Sequence, residues 1–101
     1  ELYKNLYKKT KKAEGKFDIL LVNGKQLLMI ETKYKAHKND LDNLINKKYK
    51  NFKNLYPEYK DYTHNIGLAS FYINDDIKEK ALNENVIILQ RKGDIIETTL
   101  P

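Results

Sequence analysis

A chain of 101 residues and 12.0 kDa has the size of one small domain. The absence of cysteine excludes a disulfide scaffold, a thiolate zinc centre and a cysteine nucleophile, and a reducing cytoplasm is the expected location. Nineteen basic residues against fourteen acidic ones leave a net charge of +5, which suits a polyanionic partner, although a bias toward Lys, Asn and Ile gives the same balance by composition alone. Hydrophobic residues make up 41% of the chain, enough for a packed core. The longest apolar runs, 19–22 and 27–30, are far too short to span a membrane, and no hydrophobic signal region stands at the N-terminus. The chain begins at Glu1 rather than at methionine, so a single domain over 1–101, forming a piece of a longer protein, is expected.

The first ten residues place Leu2, Tyr3, Leu6 and Tyr7 at a spacing that fits a helical turn, while their Tyr and Thr content equally suits an edge strand. Residues 8–15 read as a loop or frayed strand. Residues 17–22 form a β-rich run ending at Asn23-Gly24, a strong hairpin signal, and 26–33 return as a second strand. With Asn23 and Gly24 as the turn, Phe17 faces Ile30, Ile19 faces Leu28 and Asp18 faces Met29. Both faces of this hairpin are then apolar, which predicts a sheet covered on both sides. Residues 39–56 form an amphipathic helix: Leu41, Leu44, Ile45, Phe52, Leu55 and Tyr56 recur at three- and four-residue steps, Asn39 or Asp40 caps it, and Pro57 stops it. An apolar strand over 65–73, a short helix from Asn74 to about Asn83, and a hairpin of 86–90 with 95–99 around Lys92-Gly93-Asp94 complete the chain. Strand, crossover helix and strand imply parallel pairing with a right-handed connection, so the fold class is α/β with a mixed central sheet flanked by helices.

Two carboxylates interrupt otherwise apolar strands. Asp18 lies within Phe17-Asp18-Ile19-Leu20-Leu21, and Glu31 follows Leu27-Leu28-Met29-Ile30. Asp is depleted in strands, and a buried carboxylate is costly unless paired or bound to a metal. Glu31 and Lys33, two apart, share a face, and the hairpin register sets Asp18 diagonal to Glu31, roughly 7–8 Å away. Such a pair with a nearby lysine suits Mg²⁺, which favours one or two carboxylates plus waters and substrate phosphates. The chemistry this permits is phosphodiester hydrolysis. The same register sets Glu14 opposite Lys33, so an ordinary cross-strand ion pair is the alternative use of that lysine.

Gly15-Lys16-Phe17-Asp18, a short hairpin, and Leu28-Met29-Ile30-Glu31-Thr32-Lys33-Tyr34-Lys35 resemble the core of the PD-(D/E)xK nuclease superfamily over roughly residues 15 to 91. The resemblance implies a restriction-endonuclease-like αβββαβ fold, with its first helix absent or reduced to the stretch near Glu1. It implies a metal-dependent nuclease acting on nucleic acid, with DNA as the expected substrate and Mg²⁺ or Mn²⁺ as cofactor. Asp18 matches the metal-binding aspartate, Glu31 the second acidic residue and Lys33 the lysine, and the main chain of Thr32 would be a further metal ligand. Phe17 stands where the name-giving proline would be. A non-catalytic nucleic-acid-binding module or interaction domain on the same fold is the alternative, and a homodimer is compatible with either.

Other residues carry weaker signals. Lys35, His37, Gln90 and Arg91 are candidates for contacting nucleic acid, against the plainer reading of His37 as a solvated loop residue. Lys47, Lys48, Lys50 and Lys53 read as the solvent face of the long helix, able to track a phosphate backbone. Tyr59, Tyr62 and His64 offer stacking surfaces, but packing of their loop onto the sheet is the simpler expectation. Ser70, the only serine, has no nucleophile elbow around it.

Overall fold

In the computed structural model, which describes all 101 residues, the strands are β1 (Leu2–Lys9), β2 (Glu14–Asn23), β3 (Gln26–Ala36), β4 (Thr63–Ile73), β5 (Val86–Lys92) and β6 (Ile95–Thr99). They form one six-stranded sheet in the order β1-β2-β3-β4-β5-β6, antiparallel except for the parallel pairs β3–β4 and β4–β5. The two parallel pairs are joined by helical crossovers. The first contains α1 (Lys38–Asn43), a π-helical stretch Leu44–Lys48 and α2 (Tyr49–Leu55), and Pro57 then opens a short 3-10 turn; the second is α3 (Asp75–Asn83), preceded by Asn74 at its N-cap position. The α/β class, the mixed sheet and the predicted positions of both helices agree with the sequence. No helix is long and apolar enough to cross a membrane.

The open choice at the N-terminus resolves as an edge strand, with no helix before β2. The hairpin register differs from expectation: Asn23 pairs with Gln26, leaving Gly24-Lys25 as the turn, and Ile19 faces Ile30 rather than Leu28. Gly24 has φ +60° and is the only left-handed residue of this turn, as a loop with glycine first among its two central residues requires. The β5–β6 hairpin repeats the device, with Gly93 at φ +62° ahead of Asp94. Because the slip is an even number of residues, it changes opposed partners without turning side chains over.

A local break does turn them over. Along β1–β2 the ladder runs on one register but omits the pair Asn5–Asp18, and Asn5 adopts φ +52°. Tyr3 and Leu20 face the core on one side of this break, Leu6 and Phe17 on the other, three residues along each strand instead of two. Alternation therefore reverses in both strands at once. Phe17 is expected to lie beside Ile19, Leu21, Leu28 and Ile30; it packs instead on the opposite side with Leu20, Leu27 and Met29, and its ring meets Phe52 edge-on at 5.4 Å.

That side carries the core. Leu41, Leu44, Phe52, Leu55 and Ala81 from the helices close over Phe17, Leu20, Leu27, Met29, Leu68, Val86 and Ile88 of the sheet in one cluster. Two successive right-handed crossovers between neighbouring strands place all the helices on the same side. The expectation of cover on both faces therefore fails: Leu21, Tyr34, Phe71 and Ile96 stand exposed on the other. Tyr59 and Tyr62 pack against the core as the simpler reading predicts, and His64 is held there with Nδ1 2.9 Å from the Tyr49 hydroxyl and Nε2 2.6 Å from the Tyr59 carbonyl.

Candidate active site

Asp18 and Glu31 come together where β2 and β3 part. Their ladder ends at the pair Ile19–Ile30; one step further would set Asp18 directly across from Glu31, closer than the diagonal placement expected. At this fork Oδ2 of Asp18 accepts two hydrogen bonds, from the Thr32 backbone N–H and the Thr32 hydroxyl, each at 2.9 Å. Glu31 lies deeper, 7% exposed, and its Oε1 accepts a hydrogen bond from Lys48 Nζ at 2.9 Å.

Their environments push the two acids apart. Burial favours the neutral form of Glu31 most strongly; it outweighs the pull of Lys48, and the adjacent Asp18 adds to it, so the Glu31 pKa is raised. Burial also works to raise Asp18, but the Thr32 bonds, the Glu31 bond and the Lys48 charge together prevail, so its pKa is lowered. A pair with one acid held ionised and one inclined to bind a proton is a common mark of a functional site, although structural ion pairs produce it too.

Lys48 is the residue the sequence reading misplaces. It was expected on the solvent face of the helix, yet it continues the inward series Leu41, Leu44, 48, Phe52, Leu55 at steps of three and four. That series is the signal that could have revealed it: a lysine on the apolar stripe of the helix meets a glutamate on the apolar face of the strand. Each interruption of one surface answers the other. Lys48 closes the π-helical stretch, a local widening often found at functional sites.

Lys33 does not bridge to Glu14. The Glu14 carboxylate accepts the Tyr7 hydroxyl at 2.7 Å, while Lys33 Nζ lies 3.8 Å from Asp40 Oδ1 and remains substantially exposed. Asp40 Oδ2 also accepts the His37 backbone N–H at 2.8 Å, so His37 occupies the N-cap position of α1, and the cap expected at Asn39 or Asp40 is shifted. Lys35 is exposed beyond this point. Gln90 lies in one row with Lys33 and Ser70 across the sheet, two strands from Lys33, and its Nε2 donates to the Phe71 carbonyl at 3.4 Å. Arg91 does not join the acid pair: it lies across from Ile96 with its guanidinium 5.4 Å from the Phe71 ring, on the face without helices.

The donor set can be tested for a divalent cation. Two carboxylates with Lys48 alone in close contact leave a net negative charge when both acids are ionised, and Asp18 Oδ1 and Glu31 Oε2 are not occupied by the bonds described. No third Asp, Glu, His or Cys joins the pair. Hard oxygen donors few in number fit Mg²⁺ or Mn²⁺, which retain waters and share coordination with phosphate, better than Ca²⁺, which needs a fuller cage. No protein-family model, no curated protein and no solved structure matches this chain.

Proposed function

We propose that this chain is a metal-dependent phosphodiesterase of the PD-(D/E)xK type, acting on nucleic acid with DNA as the substrate. The single observation that supports it most is that Asp18 and a buried Glu31 stand one step beyond the last paired residues at the fork of two strands, with Lys33 two residues further on. Three successive antiparallel strands, a helical crossover and a parallel strand, as in β1 to β4, agree with the last five elements of a restriction-endonuclease-like αβββαβ core. The net charge of +5 favours a polyanion.

In this reading Asp18 and Glu31 hold Mg²⁺ or Mn²⁺, with the main chain of Thr32 alongside. The bound cation supplies neutralisation of phosphate charge and acidification of water. Thr32 orients Asp18 through its two hydrogen bonds. Lys48 offsets the charge of the acid pair. Lys33, held only at 3.8 Å by Asp40, turns toward the scissile phosphate and stabilises charge developing there.

One observation favours a second reading, a non-catalytic nucleic-acid-binding module: Glu31 and Lys33 each already have a protein partner, Lys48 and Asp40. Supercoiled plasmid and a labelled single-stranded oligonucleotide, incubated with Mg²⁺, Mn²⁺ or EDTA, separate the two. Cutting that needs the metal and is lost in Glu31→Gln and Lys33→Ala is the expected outcome. Salt-sensitive binding without cutting supports the module, and neither binding nor cutting refutes both.

A further inference from the structure

The face of the sheet without helices carries a second irregularity. The β3–β4 ladder omits the pair Tyr34–Phe71, and core-facing positions on either side of it, Lys33 with Ser70 and Ala36 with Ile73, are three residues apart rather than two. Ser70 fastens the break: its Oγ accepts the Tyr72 backbone N–H at 3.2 Å and lies within donating distance of the Tyr72 and Tyr34 carbonyls, at 2.8 and 3.2 Å. The extra residue in each strand throws Tyr34, Phe71 and Tyr72 outward together. Their exposures are 70%, 42% and 57%, and the Tyr34 ring lies 5.4 Å from Phe71 and 5.5 Å from Tyr72. Three large aromatics at the surface with little cover have no packing role that explains them.

Tyr34 and Phe71 line a groove of about 400 Å³, with Tyr72 beside Tyr34 at its margin; the lining includes Thr32, Lys33, Arg91 and Ile96 and contains no carboxylate. Arg91 sits above Phe71. Thr32 is shared: it lines the groove, and its hydroxyl and N–H hold Asp18. The groove therefore reaches the residue that holds Asp18. Exposed aromatic faces beside the Arg91 guanidinium, with no opposing negative charge on it, form a platform for unpaired bases and their phosphates, since every base offers a π-face and duplex bases do not.

We infer that this groove binds single-stranded nucleic acid, with bases stacked on Tyr34, Phe71 and Tyr72 and a phosphate at Arg91, and that it delivers the strand to Asp18 and Glu31. The delivery rests on the proposed nuclease activity; the binding does not. The test is fluorescence anisotropy in EDTA with a fluorescein-labelled oligothymidylate and a duplex of equal length, beside cleavage assays with Mg²⁺. The expected result is preference for the single strand, an affinity loss of about 5- to 100-fold in Tyr34→Ala and Phe71→Ala, and retention in Tyr34→Phe. Circular dichroism checks that the alanine variants fold, and Tyr34→Phe provides a variant that keeps the ring. Single-strand binding without cleavage upholds this site and refutes the nuclease. Cleavage that is indifferent to Tyr34→Ala upholds the nuclease and overturns this site. A concentration-dependent dimer by analytical ultracentrifugation, broken by Tyr34→Ala and unable to bind the oligonucleotide, overturns it in favour of a face for a second copy of the chain.

Discussion

Replacing Lys48 by methionine keeps the length of the stem and removes the charge that faces Glu31. Breaking a buried ion pair from one side costs about 3–5 kcal/mol, because a charge is left without its partner. Here the Lys48 side chain is 30% exposed and that of Glu31 9%, so water reaches the ammonium side and the cost falls at or just below the lower end, about 2–3 kcal/mol. The cost depends on pH. The Glu31 pKa is already raised by burial despite Lys48, and losing Lys48 raises it further. A carboxyl whose folded pKa is raised is most favourable to folding at low pH, and that contribution is lost as pH rises through the folded value. Lys48→Met should therefore lose its full 2–3 kcal/mol at about pH 8, roughly 10–20 °C in melting temperature, and progressively less as pH falls through the raised folded value of Glu31. Glu31→Gln leaves only a half-solvated ammonium, which turns to water for about 1 kcal/mol. Urea unfolding followed by circular dichroism, for the two single variants and the double, gives the coupling. Lys48→Met within about 0.5 kcal/mol of the parent at pH 8, or equally destabilised below that raised value, would refute the pairing.

Thr32→Val removes one of the two hydrogen bonds that hold the Asp18 pKa down. An acid with a lowered folded pKa stabilises above its unfolded pKa and loses that effect as pH falls through the folded value, so the variant should lose about 1 kcal/mol at pH 7 and progressively less as pH falls through that value. Urea midpoints across that interval check the sign. Gly15→Ala tests how closely α2 approaches β2: a Cβ there would lie 2.8 Å from the Phe17 ring and the Asn51 amide and 3.0 Å from Leu55. Crowding of that order should cost about 1–3 kcal/mol, seen as a lower thermal midpoint.

The elements that can be read from the sequence are those whose cues are local. Asn74 before α3, Pro57 after α2 and glycine in each hairpin turn act on their immediate neighbours, and the period of Leu41, Leu44, Phe52 and Leu55 survives the π-helical widening. Other features depend on two distant residues acting together. Nothing near Asp18 says that Asn5 will take φ +52° opposite it, and nothing near Tyr34 says that Ser70 will fasten a break beside it. Lys48 was hidden for a different reason: lysine is read as a solvent residue unless its partner is already known. The apolar residues of both hairpin faces were legible, but their cover was not, since Leu21 or Ile96 reads the same whether or not a helix lies over it.

The strand order has a bearing on how such a sheet is assembled. Each strand pairs with its neighbours in the chain, and none is inserted between two others. Pairing can therefore spread outward from β3 and β4, with the antiparallel hairpins at either end closing short loops at little entropic cost. The closure with the largest entropic cost is the one that joins β3 to β4 across the whole of α1 and α2, the longest connection between paired neighbours. The acid pair is half-built from that seam: Glu31 stands on β3 across from Leu68, and Lys48 arrives with the crossover itself. The closure that pairs β3 with β4 is thus also the one that brings Lys48 to Glu31, while β1 and β6 form the margins of the sheet.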